Sequence, residues 1–287
     1  MPPTPKHPQI YLLNYADDRL GHKGALFRES QLALNESARN HGILNIVSWG
    51  WPELASTEFY REHKEYLDRP YHLNGFVFKP YITLRLLQDI EFGDIVLYYD
   101  SGNGGHLIDC SLEPLIDLCL KNDGTAFHQW GDKNSKWTKR DCFVLMDCDE
   151  PRYHNAVALQ ATWFVLQKTD FALNFVQEWL KYTLDEGIAS YENLRVCGLP
   201  DLPGFVENRG DQSVFTNLAT KYRLRTFYGA GGPANRQIGN FVRSLSFGGW
   251  LRVQALKRAK DGRVQLGSAK RAIVRVAKKV SNAFIAD

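Results

Sequence analysis

Cysteine is scarce in this sequence: there are five, an odd number with no Cys-x-x-Cys pair (Cys110, Cys119, Cys142, Cys148 and Cys197). This spacing argues against a disulfide framework or a zinc knuckle and favours a reducing compartment. The chain also has no run of 18 apolar residues, and its first ten residues lack a basic stretch followed by an apolar one. We therefore expect a cytoplasmic protein that is neither secreted nor membrane-spanning.

Acidic residues are nearly missing from the C-terminal part of the chain. The net charge is +3, but from residue 240 onward there are eleven Lys and Arg against two Asp and Glu, whereas the remaining residues hold 24 basic and 30 acidic ones. We therefore predict two parts, a folded domain over residues 1–239 and a basic, partly amphipathic extension over residues 240–287.

The extension contains a segment, residues 268–285, that predicts an amphipathic helix. Two interpretations stay open at this point: the helix docks peripherally on an anionic membrane, at its inner face, or its apolar stripe packs on the catalytic domain. The apolar side holds Ile273, Val276, Ala277, Val280 and Phe284, and the opposite side holds Arg271, Arg275, Lys278 and Lys279.

The composition, with 44% apolar and 23% charged residues, is that of a globular protein. Apolar runs alternate with amphipathic stretches, which predicts an α/β fold with a mostly parallel sheet flanked by helices. We expect strands over 9–16, 43–49, 94–100, 125–130 and 156–167, the last as one strand or a hairpin. We expect helices over 25–41, 57–67, 80–90, 112–120, 136–146 and 171–184, the last apolar nearly all round, and one that begins near Asp211.

Asp100 ends the clearest strand and precedes the glycine-rich turn at residues 101–105. Ligands bind beyond the carboxyl ends of strands in parallel sheets, carboxylates suit Mg²⁺ or Mn²⁺, and glycine amides approach phosphate closely. Asp100 is thus a candidate metal ligand. The alternative is a turn former or a helix N-cap.

Asp211 lies in the segment ENRGDQSVF at residues 207–215. It is a candidate general base or sugar ligand, with Arg209 beside it for an anion, or else a plain N-cap. Lys79 precedes Pro80 at a helix start, where it could face a diphosphate, although a lone lysine is usually a solvated surface residue.

Two further patterns are more typical of structure than of chemistry. Asp147 and Asp149 form an apparent Asp-x-Asp pair, but Pro151 follows, which favours a capping or loop role. The stretch KWTKRD at residues 136–141 could stack on a sugar or pair with a phosphate, or could simply begin a helix, and Trp163 is more typical of a core.

Three blocks, at residues 76–103, 159–182 and 207–222, resemble in order and spacing a family of bacterial and viral GT-A-type glycosyltransferases. In that family a Trp-Lys-Pro helix leads to a GD-I-x-x-Y-x-D-x-G strand end, and an H-R-x-D-Q-S block opens a later helix. This sequence departs at Phe78 in place of the tryptophan, at Asn208 in place of the histidine, and at Gly102 in place of a second carboxylate.

The resemblance implies a GT-A-like, Rossmann-related domain that transfers a hexose-type sugar from a nucleotide-sugar donor to a glycan or lipid-linked acceptor. It implies a divalent cation, Mn²⁺ or Mg²⁺, at Asp100, and a reactive role for Asp211. Donor contacts would come from Lys79, Asp100, Gly102, Asn103, Arg209 and Gln212.

Two other functions remain in competition with this interpretation. A nucleotidyltransferase would carry a glycine- and arginine-rich loop after its first strand, whereas residues 14–24 read NYADDRLGHKG. A non-catalytic nucleic-acid-binding protein could use the basic tail, but the tail lacks a groove-reading motif or an aromatic platform, so no nucleic acid partner is expected.

Overall fold

The computed structural model describes residues 7–20, 22–71, 74–101, 107–108 and 111–227. The predicted extension over residues 240–287, its amphipathic segment and the domain boundary after residue 239 lie outside the described residues. Gly102 and Asn103 lie outside them as well.

Five strands form one sheet in the order β2-β1-β3-β5-β4. β1 pairs in parallel with β2 and β3, and β5 is antiparallel to both β3 and β4, so four of the five strands run in the same direction. The predicted α/β class with a mostly parallel sheet is therefore confirmed. The strands are β1 Ile10–Ala16, β2 Asn45–Gly50, β3 Ile95–Tyr99, β4 Thr125–Lys133 and β5 Val157–Gln167.

Helices connect the strands and cover the sheet. They are α1 His22–Asn40, α2 Trp51–Ala55, α3 Glu58–Glu62, α4 Lys64–Leu67, α5 Phe78–Asp89, α6 Glu113–Lys121, α7 Arg140–Leu145, α8 Pro151–His154, α9 Asp170–Thr183, α10 Glu186–Ala189 and α11 Asp211–Lys221. Two 3₁₀ turns cover Asp18–Leu20 and Asn134–Lys136.

Successive residues of each central strand point to opposite faces of the sheet, and both faces are covered. Leu13 and Val96 belong to a core that α5, α9 and α11 complete on one face. Leu12 and Ile95 belong to a second core, which α1 and α6 complete on the other face. Within the described residues both faces of the sheet are thus covered, which leaves the ends of the strands as the natural place for a ligand. No helix among the described residues is long and apolar enough to cross a bilayer.

Three predicted elements differ in detail. The helix expected over residues 57–67 divides at His63, whose dihedral angles (φ −116°, ψ 25°) leave the helical range. The helix expected over residues 136–146 begins only at Arg140, because Lys139 is extended and its buried ammonium donates to the carbonyls of Ser190 and Glu192. Helix α9 is buried along one face rather than all round. Residues 157–167 form one long strand, not a hairpin.

Candidate active site at the carboxyl ends of β1 and β3

The sheet has a topological switch point between β1 and β3. From β1 the chain passes through α1 to β2 on one side, and then returns across β1 to β3 on the other side. In open α/β sheets a ligand crevice forms at such a point, beyond the carboxyl ends of the two strands. Asp17 directly follows β1 and Asp100 directly follows β3, so the two carboxylates lie at this crevice.

Lys79 brings the two predicted carboxylates together. Its Nζ lies 3.0 Å from Oδ2 of Asp211 and 3.4 Å from Oδ1 of Asp100. It also donates a hydrogen bond of 3.0 Å to the backbone carbonyl of Ala161. Lys79 is 4% exposed, which rules out the alternative of a solvated surface lysine. These three charged side chains, Lys79, Asp100 and Asp211, are called the charge cluster below.

Local structure explains how Lys79 and Asp100 reach their positions. Lys79 is the second residue of α5, and Pro80 fits in the first helical turn, where it sacrifices no backbone hydrogen bond. Asp100 accepts a hydrogen bond of 2.7 Å from the hydroxyl of Tyr98. Because β5 runs antiparallel to β3, its first half lies at the crevice and presents the Ala161 carbonyl to Lys79.

The position of Asp211 is fixed by the close approach of Gly75 and Gly210. The N–H of Asp211 donates to the carbonyl of Gly75 at 3.0 Å, and a Cβ on Gly210 would lie 3.0 Å from Cα of Gly75. Trp179 donates its indole N–H to the carbonyl of Asp211. The N-cap of α11 is Gly210, and Asp211 is the first helical residue, so the alternative of an N-cap role for Asp211 is wrong.

Burial and charge shift the ionisation of the cluster. Burial raises the pKa of Asp211 to about 6, even though Lys79 opposes that shift. Burial alone would lower the pKa of Lys79, but the carboxylates of Asp100 and Asp211 raise it above its usual value. With Asp211 ionised, the cluster holds two negative charges and one positive charge, and a carboxylate with a pKa near neutrality suits proton transfer.

The predicted divalent cation can be tested against this donor set. The described residues contain no group of three His, Cys, Asp or Glu side chains placed to hold a metal by themselves. Mg²⁺ at nucleotide sites is commonly held by one or two carboxylates together with substrate phosphates, and Asp100, partly exposed, can supply one of them. Because the cluster has an excess negative charge, a bound diphosphate would need added positive charge. The residues therefore fit a cation shared with a substrate.

A second set of side chains at the crevice escaped the sequence analysis. Asp17 accepts hydrogen bonds from the hydroxyl of Tyr71 and from the guanidinium of Arg19, the latter at 2.7 and 3.0 Å. The Arg19 guanidinium carbon lies 3.1 Å from the ring centroid of Trp51, which begins α2. The available signal was Asp17 itself, which follows β1 as Asp100 follows β3.

Arg209 does not reach the charge cluster with its side chain. Its guanidinium pairs with Glu207 at 2.6 Å and lies 4.9 Å and 4.7 Å from the ring centroids of Trp130 and Trp137. Gln212 is half-buried, and its backbone N–H donates to the carbonyl of Arg209 at 3.1 Å.

The apparent Asp-x-Asp pair has structural partners. Asp149 accepts from Arg140 at 2.8 Å, and its other oxygen lies 2.8 Å from Nε2 of His154. Asp147 occupies a left-handed backbone position with φ of 53°. Trp163 is a core residue, as expected.

No family model matches the chain, and no curated protein matches it in sequence. Among solved structures, the chain is similar to a glycosyltransferase involved in the glycosylation of the major capsid of PBCV-1. The two are 12% identical, the match covers 77% of this chain and 81% of the other, and the TM-score is 0.37. At that level the likeness carries no argument about the reaction.

Proposed function

We propose that this protein is a glycosyltransferase that moves a hexose-type sugar from a nucleotide-sugar donor to a glycan or lipid-linked acceptor. The observation that carries the proposal is the buried ammonium of Lys79 between the carboxylates of Asp100 and Asp211, at the switch point of the sheet. The three sequence blocks that resemble GT-A-type enzymes each contribute to this crevice, which is added support.

The reaction needs stabilisation of a leaving diphosphate. The bond between the anomeric carbon and the phosphate oxygen breaks, and its electron pair leaves with the nucleoside diphosphate through an oxocarbenium-like transition state. The buried ammonium of Lys79 holds the carboxylates of Asp100 and Asp211 in fixed positions, so the groups that would receive the donor and its cation need not reorganise. A divalent cation bound at Asp100 would add charge neutralisation at the diphosphate.

The second requirement is removal of a proton from the acceptor. As the acceptor oxygen bonds to the anomeric carbon, its proton passes to the carboxylate of Asp211 in an inverting reaction. A pKa of about 6 leaves Asp211 ionised near neutral pH while keeping it a stronger base than an ordinary aspartate. In a retaining reaction Asp211 would instead contact the donor sugar.

The nucleoside would bind on the β1 side of the crevice. There Trp51 offers an aromatic ring, and the Asp17 carboxylate holds Arg19 against that ring. We further propose that the protein acts at the inner face of a membrane, where residues 268–285 would bind anionic lipid and a lipid-linked acceptor would be within reach.

The test is a thermal-shift panel of nucleotide sugars, with and without Mn²⁺, followed by measurement of nucleoside diphosphate release. A ligand that binds only the folded state raises the free energy of unfolding, by about 2.7 kcal/mol when its concentration is a hundred times its dissociation constant. The melting temperature rises accordingly. Asp100→Ala should abolish the Mn²⁺-dependent part of the shift and reduce release by orders of magnitude, whereas Asp117→Ala, an exposed carboxylate of α6, should behave as wild type.

Two outcomes would contradict the proposal. One is the absence of any stabilisation by the panel together with wild-type behaviour of Asp100→Ala. The other is release of pyrophosphate from a nucleoside triphosphate and a sugar phosphate, which would indicate a nucleotidyltransferase.

A further inference from the structure

We propose that Trp130, Trp137 and Arg209 form the surface that binds the acceptor, and that the acceptor moiety in contact with it is an uncharged sugar ring. This inference rests on the proposed function and goes beyond it, because it assigns an acceptor-binding site and the chemical class of its ligand. The three residues are called the tryptophan platform.

The platform is built from two stacked indoles and a guanidinium. The ring centroids of Trp130 and Trp137 are 4.6 Å apart with 26° between the planes, and the Arg209 guanidinium carbon is within 5 Å of both. Both indoles are half-buried, so part of their apolar surface faces solvent. An aromatic ring with partly exposed apolar surface beside planar polar groups is suited to the C–H face and the hydroxyls of a sugar.

The backbone directs Trp130 to this position. Between Gln129, which pairs with Leu159, and Lys133, which pairs with Val157, the register of β4 against β5 shifts. Gly131 within this stretch has a φ of 101°. Bulges of this kind re-aim a side chain and are enriched beside active sites.

Backbone contacts place the platform next to Asp211. The carbonyl of Trp137 accepts from the N–H of Arg209 at 3.1 Å and from the hydroxyl of Ser213 at 2.7 Å, and Ser213 is in the first turn of α11. Burial raises the pKa of Tyr191, and the charges of Asp211 and Arg209 both act on it, so Tyr191 is within electrostatic range of the two sites. The platform therefore lies beside the first turn of α11, the turn that carries the proposed base.

The two cations over the rings of the platform, Arg209 and Lys136, are each paired with a carboxylate. Arg209 is paired with Glu207 at 2.6 Å, and Lys136 is paired with Asp132 at 3.1 Å. An anionic sugar would find no cation in this set without a carboxylate beside it, whereas hydroxyl groups can bond to both members of such pairs. The charge balance favours an uncharged ring.

The alternative ligand for the platform is the nucleobase of the donor. The sheet order argues against it, because Trp51 and Arg19 lie at the β1 and β2 side of the charge cluster and Trp130 lies on β4 at the other side. A donor with its base near Trp51 and its diphosphate near Lys79 leaves the platform for the acceptor.

The experiment uses the full chain and its intrinsic tryptophan fluorescence, with saturation-transfer difference NMR as a second readout. The probes are the neutral trisaccharides maltotriose, cellotriose, mannotriose and chitotriose, the anionic trigalacturonate, and UDP and GDP. We expect at least one neutral trisaccharide to bind, Trp130→Ala to weaken it at least ~10-fold, and Trp130→Phe to retain most of the affinity. Nucleotide binding should be unchanged in both variants.

A matched control is Phe92→Ala. Phe92 is an exposed aromatic residue with the ammonium of Lys168 5.1 Å from its ring centroid, and it lies in the loop before β3, at the end of that strand opposite the crevice. Its removal should leave trisaccharide binding at the wild-type level. Once a donor is known, Trp130→Ala should raise the KM for the acceptor much more than the KM for the donor, a split that a merely structural defect would not produce.

Three results would overturn the inference. The first is no Trp130-dependent binding of any neutral trisaccharide up to about 10 mM, ten times the upper end of common Michaelis constants of ~1 mM. The second is a loss of nucleotide affinity in Trp130→Ala, which would assign the platform to the base. The third is binding of trigalacturonate alone. Failure of the proposed function is distinct, because nucleotide sugars would then not stabilise the wild-type protein at all.

Discussion

The ammonium of Lys79 and the carboxylate of Asp211 are 3.0 Å apart and almost completely buried, although one lies in the first turn of α5 and the other begins α11. Neither charge would be stable there alone, since removal of a charged group from water costs several kcal/mol. The pair therefore depends on the exact docking of two helices. Its functional consequences can be measured.

The first prediction concerns the pH dependence of transfer. Because burial raises the pKa of Asp211 to about 6, the rate should rise as pH increases through about 6, where the base becomes ionised. Asp211→Asn should lower turnover by ~10²-fold or more and remove this limb of the pH profile. A wild-type profile in Asp211→Asn would exclude the role as base.

A second prediction for Asp211→Asn concerns the pH dependence of the free energy of unfolding. The pKa of Asp211 is raised from 3.8 to about 6, so between pH 4 and 6 the folded state binds more protons than the unfolded state. Protonated Asp211 therefore contributes to the free energy of unfolding at low pH. This contribution, about 3 kcal/mol, is lost as pH rises through that window. In urea unfolding, the wild type should lose stability relative to Asp211→Asn between pH 4 and 6, and an equal slope in both proteins would contradict the pKa shift.

The next prediction concerns removal of the Lys79 ammonium. Lys79→Met leaves two carboxylates facing each other without compensation and should cost about 3–5 kcal/mol, or on the order of 10 °C in melting temperature. The double variant Lys79→Met with Asp211→Asn should recover part of this loss, because one of the unpaired charges is then gone. If the two substitutions are additive, the ion pair contributes no coupling energy.

A further prediction tests whether the packing of Gly75 fixes the position of Asp211. Gly75 has a φ of 61°, and a Cβ there would lie 2.5 Å from Cβ of Ala189. Gly75→Ala should therefore cost about 1–3 kcal/mol from steric overlap, plus about 1 kcal/mol from the backbone angle, and should also reduce transfer.

The matched control for this prediction is Gly204→Ala. Gly204 has a φ of 86° with no atom within 4 Å of its added Cβ, so only the backbone cost of about 1 kcal/mol applies and transfer should be unaffected. Urea unfolding and the transfer assay measure both effects. Equal losses in the two variants would mean that the contact with Ala189 is unimportant.

The last prediction concerns the nucleoside side of the crevice. Trp51→Ala removes the ring against which Arg19 lies and should weaken binding of the nucleoside diphosphate by ~10-fold, measured by calorimetry. Trp51→Phe should keep most of the affinity, and trisaccharide binding should be the same in all three proteins. If the Ala variant binds nucleotide normally, the base binds elsewhere.

Local sequence was sufficient to predict the strands and the positions of Asp100 and Lys79, because an apolar run followed by a carboxylate and glycine, or a lysine before a helical proline, is a short-range pattern. It was insufficient to predict that Lys79 contacts both aspartates. That contact depends on the approach of Gly75 to Gly210, which are far apart in the chain. Likewise, nothing near Trp130 in sequence indicates that Arg209 will lie against it.

The segments that build the charge cluster are widely separated in the chain, and this spacing sets an order of events during synthesis. A chain made from its N-terminus presents Lys79 and Asp100 long before α11 exists, so Asp211 is the last member to arrive. Contacts of such high sequence separation form late, since the loops that they close must be ordered first. If nucleotide binding requires the complete charge cluster, nucleotide binds only to chains in which α11 has docked. Nucleotide binding would then distinguish fully folded molecules from intermediates that already contain the sheet.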